Sequence, residues 1–160
     1  MKKLFVGVLC VALSLSVQGK EVNMTSPDGK YQFTLSDSGG QLHYSLTWNG
    51  KQTVKPSLLG INANVEWRDG VEIGTVDSSR KDTIWHPVYG ERSEIKDCYH
   101  AWKIVVNRQN GRDKLILDVR AYDEGIAFRY HFPGGQYLKI TDEYTEYTMP
   151  EGTKAYFTPK

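Results

Sequence analysis

The stretch LHYSLTWNG, residues 42–50, decides the fold of this chain. Its apolar side chains alternate with His43, Ser45 and Thr47, which is the period of a strand with one buried face. The Asn49-Gly50 dipeptide that follows is the strongest short-range signal for a hairpin. We therefore predict a strand over residues 42–48 with Trp48 on its inner face, and a partner strand over residues 51–55 that stops at Pro56.

The segments before this hairpin carry the same kind of pattern. Pro27-Asp28-Gly29-Lys30 is typical of a tight turn and separates two short strand-like segments. The sequence predicts strands over residues 21–25 and 31–36, and Ser38-Gly39-Gly40 turns the second of them into the strand that starts at Leu42.

The segments after the hairpin predict an antiparallel meander. Trp102, Ile104 and Val106 share one face of a strand that ends near Asn107. Turns at Asn110-Gly111, Glu124-Gly125 and Pro133-Gly134-Gly135 then separate further strands, predicted over residues 114–123, 126–132 and 137–141.

Two stretches fit this pattern less clearly. Residues 76–96 are polar and are predicted to form a long excursion between two sheet segments. Residues 144–157 predict a strand, a turn at 149–152 and another strand, so the chain ends within its strand pattern, and we expect it to be part of a longer domain. Because no window shows a sustained helical period, the fold class predicted is an all-β antiparallel sandwich that is incomplete at its C-terminal end.

The first 19 residues have the composition of a secretory signal peptide. Lys2 and Lys3 precede an apolar run over residues 4–17, and small residues at Val17 and Gly19 fit a cleavage site after Gly19. The run is short for a membrane span of about 20 residues. The sequence therefore predicts export to the periplasm or the cell exterior, and a mature domain over residues 20–160 without a membrane anchor.

Composition excludes several classes of function. The chain has 160 residues and a net charge of +1, so it lacks the basic excess that nucleic-acid binding requires. Export removes Cys10 and leaves Cys98, which has no intramolecular disulfide partner and no sequence-adjacent base that would make it a nucleophile.

Candidate catalytic groups are sparse. Glycoside hydrolysis needs two carboxyl groups about 5–9.5 Å apart, and the adjacent acids are Asp123-Glu124 and Asp142-Glu143. The first pair lies in a predicted turn, and neighbours on a strand point to opposite faces. The four histidines show no zinc-binding spacing. We therefore predict no catalytic residue, metal ligand or cofactor site in this chain.

Aromatic side chains are the remaining candidates for ligand contact. Sugars stack on the faces of exposed aromatic rings, so Trp67, Trp85 or Tyr89 could form a carbohydrate platform. Trp48 and Trp102 fit inward positions of strands and are predicted to be core residues. Trp85 and Tyr89 flank Pro87 in a predicted loop and are the candidate substrate-binding residues, with packing against another domain as the alternative.

Three segments together resemble a known family. They are SPDGK (26–30) with LHYSL (42–46), WHPVYGER (85–92), and RAYDEGIAFRY (120–130) with TDEYTEY (141–147). In this order, behind a signal peptide, they are similar to the N-terminal domain of glycoside hydrolase family 97, the secreted bacterial α-glucosidases and α-galactosidases.

The resemblance implies a β-super-sandwich like that of galactose mutarotase, followed by a catalytic (β/α)₈ barrel. It also implies that the catalytic carboxylates, and the glutamates that hold calcium in the full-length enzymes, lie beyond Lys160. The partners implied are this barrel and an oligo- or polysaccharide substrate, and residues 85–92 and 123–125 are the expected inter-domain contacts. A free-standing carbohydrate-binding module and a structural or adhesive secreted β domain remain as alternatives.

Overall fold

A computed structural model of the protein describes residues 19–109, 111–134, 137–156 and 158, and these residues form eleven strands in three sheets. The turn residues Asn110 and Gly135 lie outside these ranges, and so does the predicted signal peptide except for Gly19. The first sheet has the order β1 (Glu21–Thr25), β2 (Tyr31–Ser36), β3 (Leu42–Trp48), β4 (Lys51–Leu59). The second sheet contains β7 (Val71–Trp85), β8 (Ile95–Arg108), β9 (Lys114–Tyr122) and β10 (Gly125–His131), and the third contains β5 (Ile61–Ala63), β6 (Val65–Glu66) and β11 (Ile140–Glu143).

The β3–β4 hairpin forms where the sequence predicts it. Asn49 and Gly50 have φ values of 50° and 74°, which is the backbone of a two-residue turn that matches the twist of the strands. The prediction that Pro56 ends β4 is wrong. Tyr44 pairs with Ser57 and Leu46 with Val54, so Pro56 lies in a bulge, where its missing N–H costs no ladder hydrogen bond.

The core lies between the first two sheets. Alternate residues of β2 and β3 face alternate residues of β8 and β9, as the period-two pattern requires. Phe33 stacks on Tyr44 with ring centroids 5.4 Å apart, and Phe128 contacts both rings. Fully buried side chains at the centre include Met24, Phe33, Leu35, Leu42, Ile104, Leu117 and Val119. The predicted antiparallel sandwich is therefore confirmed.

Trp48 and Trp102 differ from each other in burial. Trp102 packs against this core as predicted, whereas the prediction of a core position for Trp48 is wrong, because that side chain is 45% exposed. Trp48 is the last residue of β3, and the opposite sheet does not cover the end of the strand.

The polar stretch predicted as an excursion between sheet segments is instead two paired strands. Residues 71–85 and 95–108 form one long hairpin, with Trp85 paired to Ile95 at its far end. The outer part of β7, residues 77–85, is exposed on both faces, so no alternation of apolar and polar residues marks it as a strand. Without this alternation, the sequence pattern did not predict a strand in this stretch.

The last part of the chain also departs from prediction. The strand after Pro133 is Ile140–Glu143 rather than residues 137–141, and it pairs with β5 instead of continuing the meander beside β10. Described residues 144–156 contain no assigned strand, contrary to prediction. Residues 144–148 nevertheless run along β4, since backbone hydrogen bonds join Glu146 N to Leu58 O and Lys55 N to Thr148 O.

Candidate functional site: the β7–β8 arm

The outer half of the β7–β8 hairpin projects beyond the sandwich. β9 pairs with β8 only from His100 onwards, so residues 95–99 pair with β7 alone. We call residues 81–99 the arm. Its five paired positions extend the hairpin by about 17 Å, and residues 86–94 connect the two strands at the tip.

Aromatic and charged groups anchor the arm where it leaves the sheet. The guanidinium carbon of Arg120 lies 4.7 Å above the Tyr99 ring, and the Tyr122 ring lies 5.0 Å from the same ring. Lys81 Nζ is 2.6 Å from Asp97 Oδ2, across the two strands of the arm. This hydrogen-bonded carboxylate raises the pKa of Lys81. The base of the arm is therefore held to the rest of the sheet by side chains as well as by the β ladder.

The tip of the arm exposes apolar side chains. Trp85 is 49% exposed and Tyr89 is 89% exposed, and Ile84 and Val88 beside them are also exposed. Inside the tip, His86 Nδ1 lies 3.1 Å from Ser93 O. Exposed apolar side chains grouped on one projecting element are typical of a contact surface.

The predicted aromatic contacts separate into two groups. Trp85 and Tyr89 lie close in sequence at the exposed tip, and their contact with sugar stays a prediction. The suggestion that Trp67 is an exposed platform is wrong, because this side chain is 1% exposed and its ring meets Phe132 edge-on at 6.5 Å. Val88 lies within the expected contact range 85–92, whereas sequence reasoning missed Ile84, whose isolated apolar side chain in a polar stretch was the available signal.

The adjacent acids serve turns or remain at the surface. Asp123 Oδ1 accepts a hydrogen bond of 2.8 Å from Asp28 N, which ties the β9–β10 turn to the β1–β2 turn. Asp28 accepts hydrogen bonds from Lys30 and Ser26, and these hold the pKa of its carboxyl well below the usual range. Glu143 accepts a hydrogen bond from the Thr145 hydroxyl. These contacts are structural, and the turn contact of Asp123 links two parts of this same domain.

The calcium ion implied for the full-length enzymes stays a prediction. Across the described residues, no group of three His, Cys, Asp or Glu side chains is placed to hold a metal ion. The thiol of Cys98 is half-buried, and desolvation raises its pKa, which disfavours the nucleophilic thiolate. No helix within the described ranges is long and apolar enough to cross a membrane.

The described residues form a two-layer antiparallel sandwich with a projecting arm whose tip exposes apolar side chains. The sequence model described as Glycosyl-hydrolase 97 N-terminal matches residues 24–160. The chain belongs to this family, as the N-terminal domain of a family 97 glycosyl hydrolase.

Relatives of known activity or structure agree with this assignment. The chain is 30% identical to a retaining alpha-galactosidase of Bacteroides thetaiotaomicron over 97% of its own length and 23% of that enzyme's. A family 97 enzyme from Pseudoalteromonas sp. strain K8, solved with panose, superposes with a TM-score of 0.75 at 24% identity over 81% of this chain and 20% of that one. A beta-arabinopyranosidase structure matches with the same TM-score at 25% identity, covering 81% and 21%. The chain thus spans about a fifth of the length of these relatives.

Proposed function

We propose that this chain is the non-catalytic N-terminal sandwich of an exported α-glycoside hydrolase. In this role it supplies surfaces that pack on the catalytic (β/α)₈ barrel and help to wall the substrate pocket, while the reacting carboxylates and the calcium belong to the barrel. The observation that carries the proposal is the match to the family's N-terminal domain over residues 24–160, in a sandwich whose adjacent acids are used in turns or lie at the surface.

The arm is the surface best suited to inter-domain contact. Its tip carries Ile84, Trp85, Val88 and Tyr89 in exposed positions, and burying one large apolar side chain contributes about 1.5–3 kcal/mol. The anchoring of Tyr99 under Arg120 fixes the direction in which the tip points. An arm held in this way can place an aromatic ring at the rim of a neighbouring pocket.

A chimera tests this role directly. Residues 20–160 replace the matching segment of the Bacteroides alpha-galactosidase, and both galactoside hydrolysis and thermal unfolding are measured. We expect an active chimera in which Trp85→Ala with Tyr89→Ala lowers kcat/KM at least about tenfold, because a displaced pocket wall misplaces the substrate. Trp48→Ala is the matched control, since Trp48 is as exposed as Trp85 but lies on the sandwich.

Two results would contradict the proposal. One is an arm variant that hydrolyses substrate as fast as the Trp48→Ala control in a folded chimera. The other is hydrolysis of an α-glycoside by the purified 160-residue chain alone, because the reactive groups would then lie within it. If the chimera does not fold, quenching of Trp85 fluorescence on mixing the chain with the separate catalytic portion gives the same information.

The exposed rings at the arm tip favour a second candidate, a free-standing carbohydrate-binding module. Sugar rings stack on exposed aromatic faces, and Trp85 and Tyr89 are both accessible in the chain alone. Titration of the 160-residue chain with panose, followed by tryptophan fluorescence, separates the two functions. Saturable binding that Trp85→Ala abolishes and Trp48→Ala keeps would favour the module.

A further inference from the structure

The two lateral sides of the sandwich are closed to different degrees. On the side of β1 and β7, the Asp37 carboxylate accepts hydrogen bonds from Lys20 N and, at 2.7 Å, from Ile73 N, and so joins the two sheets. Met24 and Val71 beside this junction are fully buried. This side of the sandwich is therefore closed both by the hydrogen bonds of Asp37 and by fully buried apolar side chains.

The opposite side, along β10, is covered only in part: the Tyr130 hydroxyl lies 3.2 Å from Thr145 Oγ1, but no backbone hydrogen bond among the described residues joins 144–148 to β10. β10 is the last strand of its sheet, and β2 lies over β9 and β10. Since β3 and β4 follow β2 in the first sheet, that sheet extends past the edge of β10. A cleft of about 400 Å³ lies under this overhang, lined by side chains of both sheets, among them Leu46, Val54 and Phe128, and also by Glu143 and Tyr147 from the last part of the chain.

The backbone of β10 offers a regular row of hydrogen-bonding groups to this side. The two-residue turn at 123–124 closes on Tyr122–Gly125, and the pair that closes such a turn is hydrogen-bonded. Along an antiparallel ladder, hydrogen-bonded pairs alternate with non-hydrogen-bonded pairs. Every second residue after Gly125 therefore turns its N–H and C=O away from β9. These residues are Ile126, Phe128 and Tyr130, whose side chains pack on the core from the inner face of β10.

We propose that an extended strand of a longer form of this polypeptide pairs with the free edge of β10 and inserts alternate apolar side chains into the cleft over Leu46 and Val54. This proposal rests on the proposed function, because the strand comes from the part of the longer family enzymes that this chain does not span. Those relatives are about five times as long as the matched segment. Strand addition at an exposed edge supplies main-chain hydrogen bonds, and pockets for alternate side chains select the sequence.

A second copy of the chain fits this edge poorly. Two copies could pair through their β10 strands about a two-fold axis perpendicular to the sheet. The overhanging β3–β4 hairpins of both copies would then lie in the same layer and would overlap. Pairing about a two-fold axis that lies in the plane of the sheet would turn one copy over. The apolar inner face of one copy would then lie beside the polar outer face of the other, which carries Arg129 and His131. A single added strand has neither conflict.

Amide hydrogen exchange measured by NMR tests the edge in the 160-residue chain. We expect the amides of Ile126, Phe128 and Tyr130 to exchange at least about 100-fold faster than those of Ala127 and Arg129, because only the latter donate to β9. Slow exchange at all five positions in a monomeric chain would overturn the proposal. So would slow exchange that appears only as a dimer forms, because the edge would then belong to a second copy.

The occupant is tested by extending the chain. The residues that follow the matched segment in the Bacteroides enzyme's N-terminal domain are appended to Lys160, or added as a separate peptide if the fusion does not fold. The expected result is at least about 100-fold slower exchange at Ile126, Phe128 and Tyr130, with no change for a scrambled extension of equal composition. Protection of the β1 or β7 edge instead, or of none, would overturn the proposal. This readout is independent of hydrolysis, so it can fail or succeed separately from the proposed function.

Discussion

The two halves of β8 differ although they form one continuous strand. Residues 100–107 pair on both sides, with β7 and β9, and contribute Ile104 and Val106 to the core. Residues 95–99 pair only with β7 and belong to the arm. The same hairpin thus has an inner half that contributes to the core and an outer half that projects beyond the sandwich. Substitutions in the two halves should therefore have different effects on the stability of the domain.

The largest difference is expected between core and arm truncations. Leu117→Ala should lower the free energy of unfolding by about 3 kcal/mol, because Leu117 is fully buried opposite β2 and its loss leaves a cavity. Ile84→Ala at the arm should change it by less than about 0.5 kcal/mol. Denaturant unfolding of both variants gives the comparison, and equal losses would mean that the arm is part of the core.

Alkaline pH should destabilise the body of the domain through its buried phenols. Burial raises the pKa of Tyr130 to about 12 and, for the same reason, that of Tyr44 to about 12. Since the unfolded value is about 10, the stability from the neutral phenols is fully present below pH 10 and is lost as pH rises to 12. Tyr130→Phe should reduce the alkaline loss of unfolding free energy by roughly 2 kcal/mol, because phenylalanine has no phenol to ionise.

The control for the alkaline experiment is Tyr156→Phe, because Tyr156 is almost fully exposed. Unfolding curves at pH 9 and pH 11.5 compare the three proteins. A Tyr130→Phe variant whose stability falls as steeply as that of the parent chain would contradict the assignment.

The β3–β4 turn should show an intermediate effect. Gly50 has a φ of 74° and open space around it, so Gly50→Ala costs only the backbone strain of a left-handed residue, about 1 kcal/mol. Lys51→Ala, one residue later on the exposed side of β4, is the control. Denaturant midpoints measure both, and a neutral Gly50→Ala would show that this turn relaxes to another type.

The smallest expected effect is at the Asp28 turn. The hydrogen bonds from Lys30 and Ser26 keep the Asp28 pKa below its unfolded value of about 3.9, so the stability they give is present above that pH and is lost as pH falls through the folded pKa. Asp28→Asn should flatten the loss of stability below pH 4. Acid unfolding monitored by circular dichroism compares this variant with the parent chain, and identical curves for the two proteins would contradict the prediction.

Sequence pattern predicted the body of this domain well because burial there imposes alternation. Met24, Phe33 and Leu117 all occupy inward positions of strands whose other face is solvated. The Asn49-Gly50 turn was predictable because few residue pairs accept its backbone conformation.

The errors occurred where burial no longer constrains the residue type. The outer half of β7 is exposed on both faces, so residues 77–85 show no alternation although their backbone is paired. Pro56 was placed at a strand end because a bulge depends on the partner strand, and β11 was assigned to the wrong neighbour because pairing with β5 is a long-range contact. Trp85 and Tyr89 therefore indicated a contact surface in the sequence, but the sequence did not predict that they lie at the end of a projecting hairpin.

Shortening the arm tests the central claim most directly. In the chimera with the Bacteroides enzyme, residues 82–98 are replaced by Asn-Gly, which closes the hairpin on the pair Lys81–Tyr99, and kcat/KM for galactoside hydrolysis is measured on protein that still unfolds cooperatively. We expect a fall of at least about tenfold with a thermal midpoint close to that of the parent chimera. An unchanged kcat/KM in a folded protein would show that the arm does not contribute to the pocket and would contradict the proposed function.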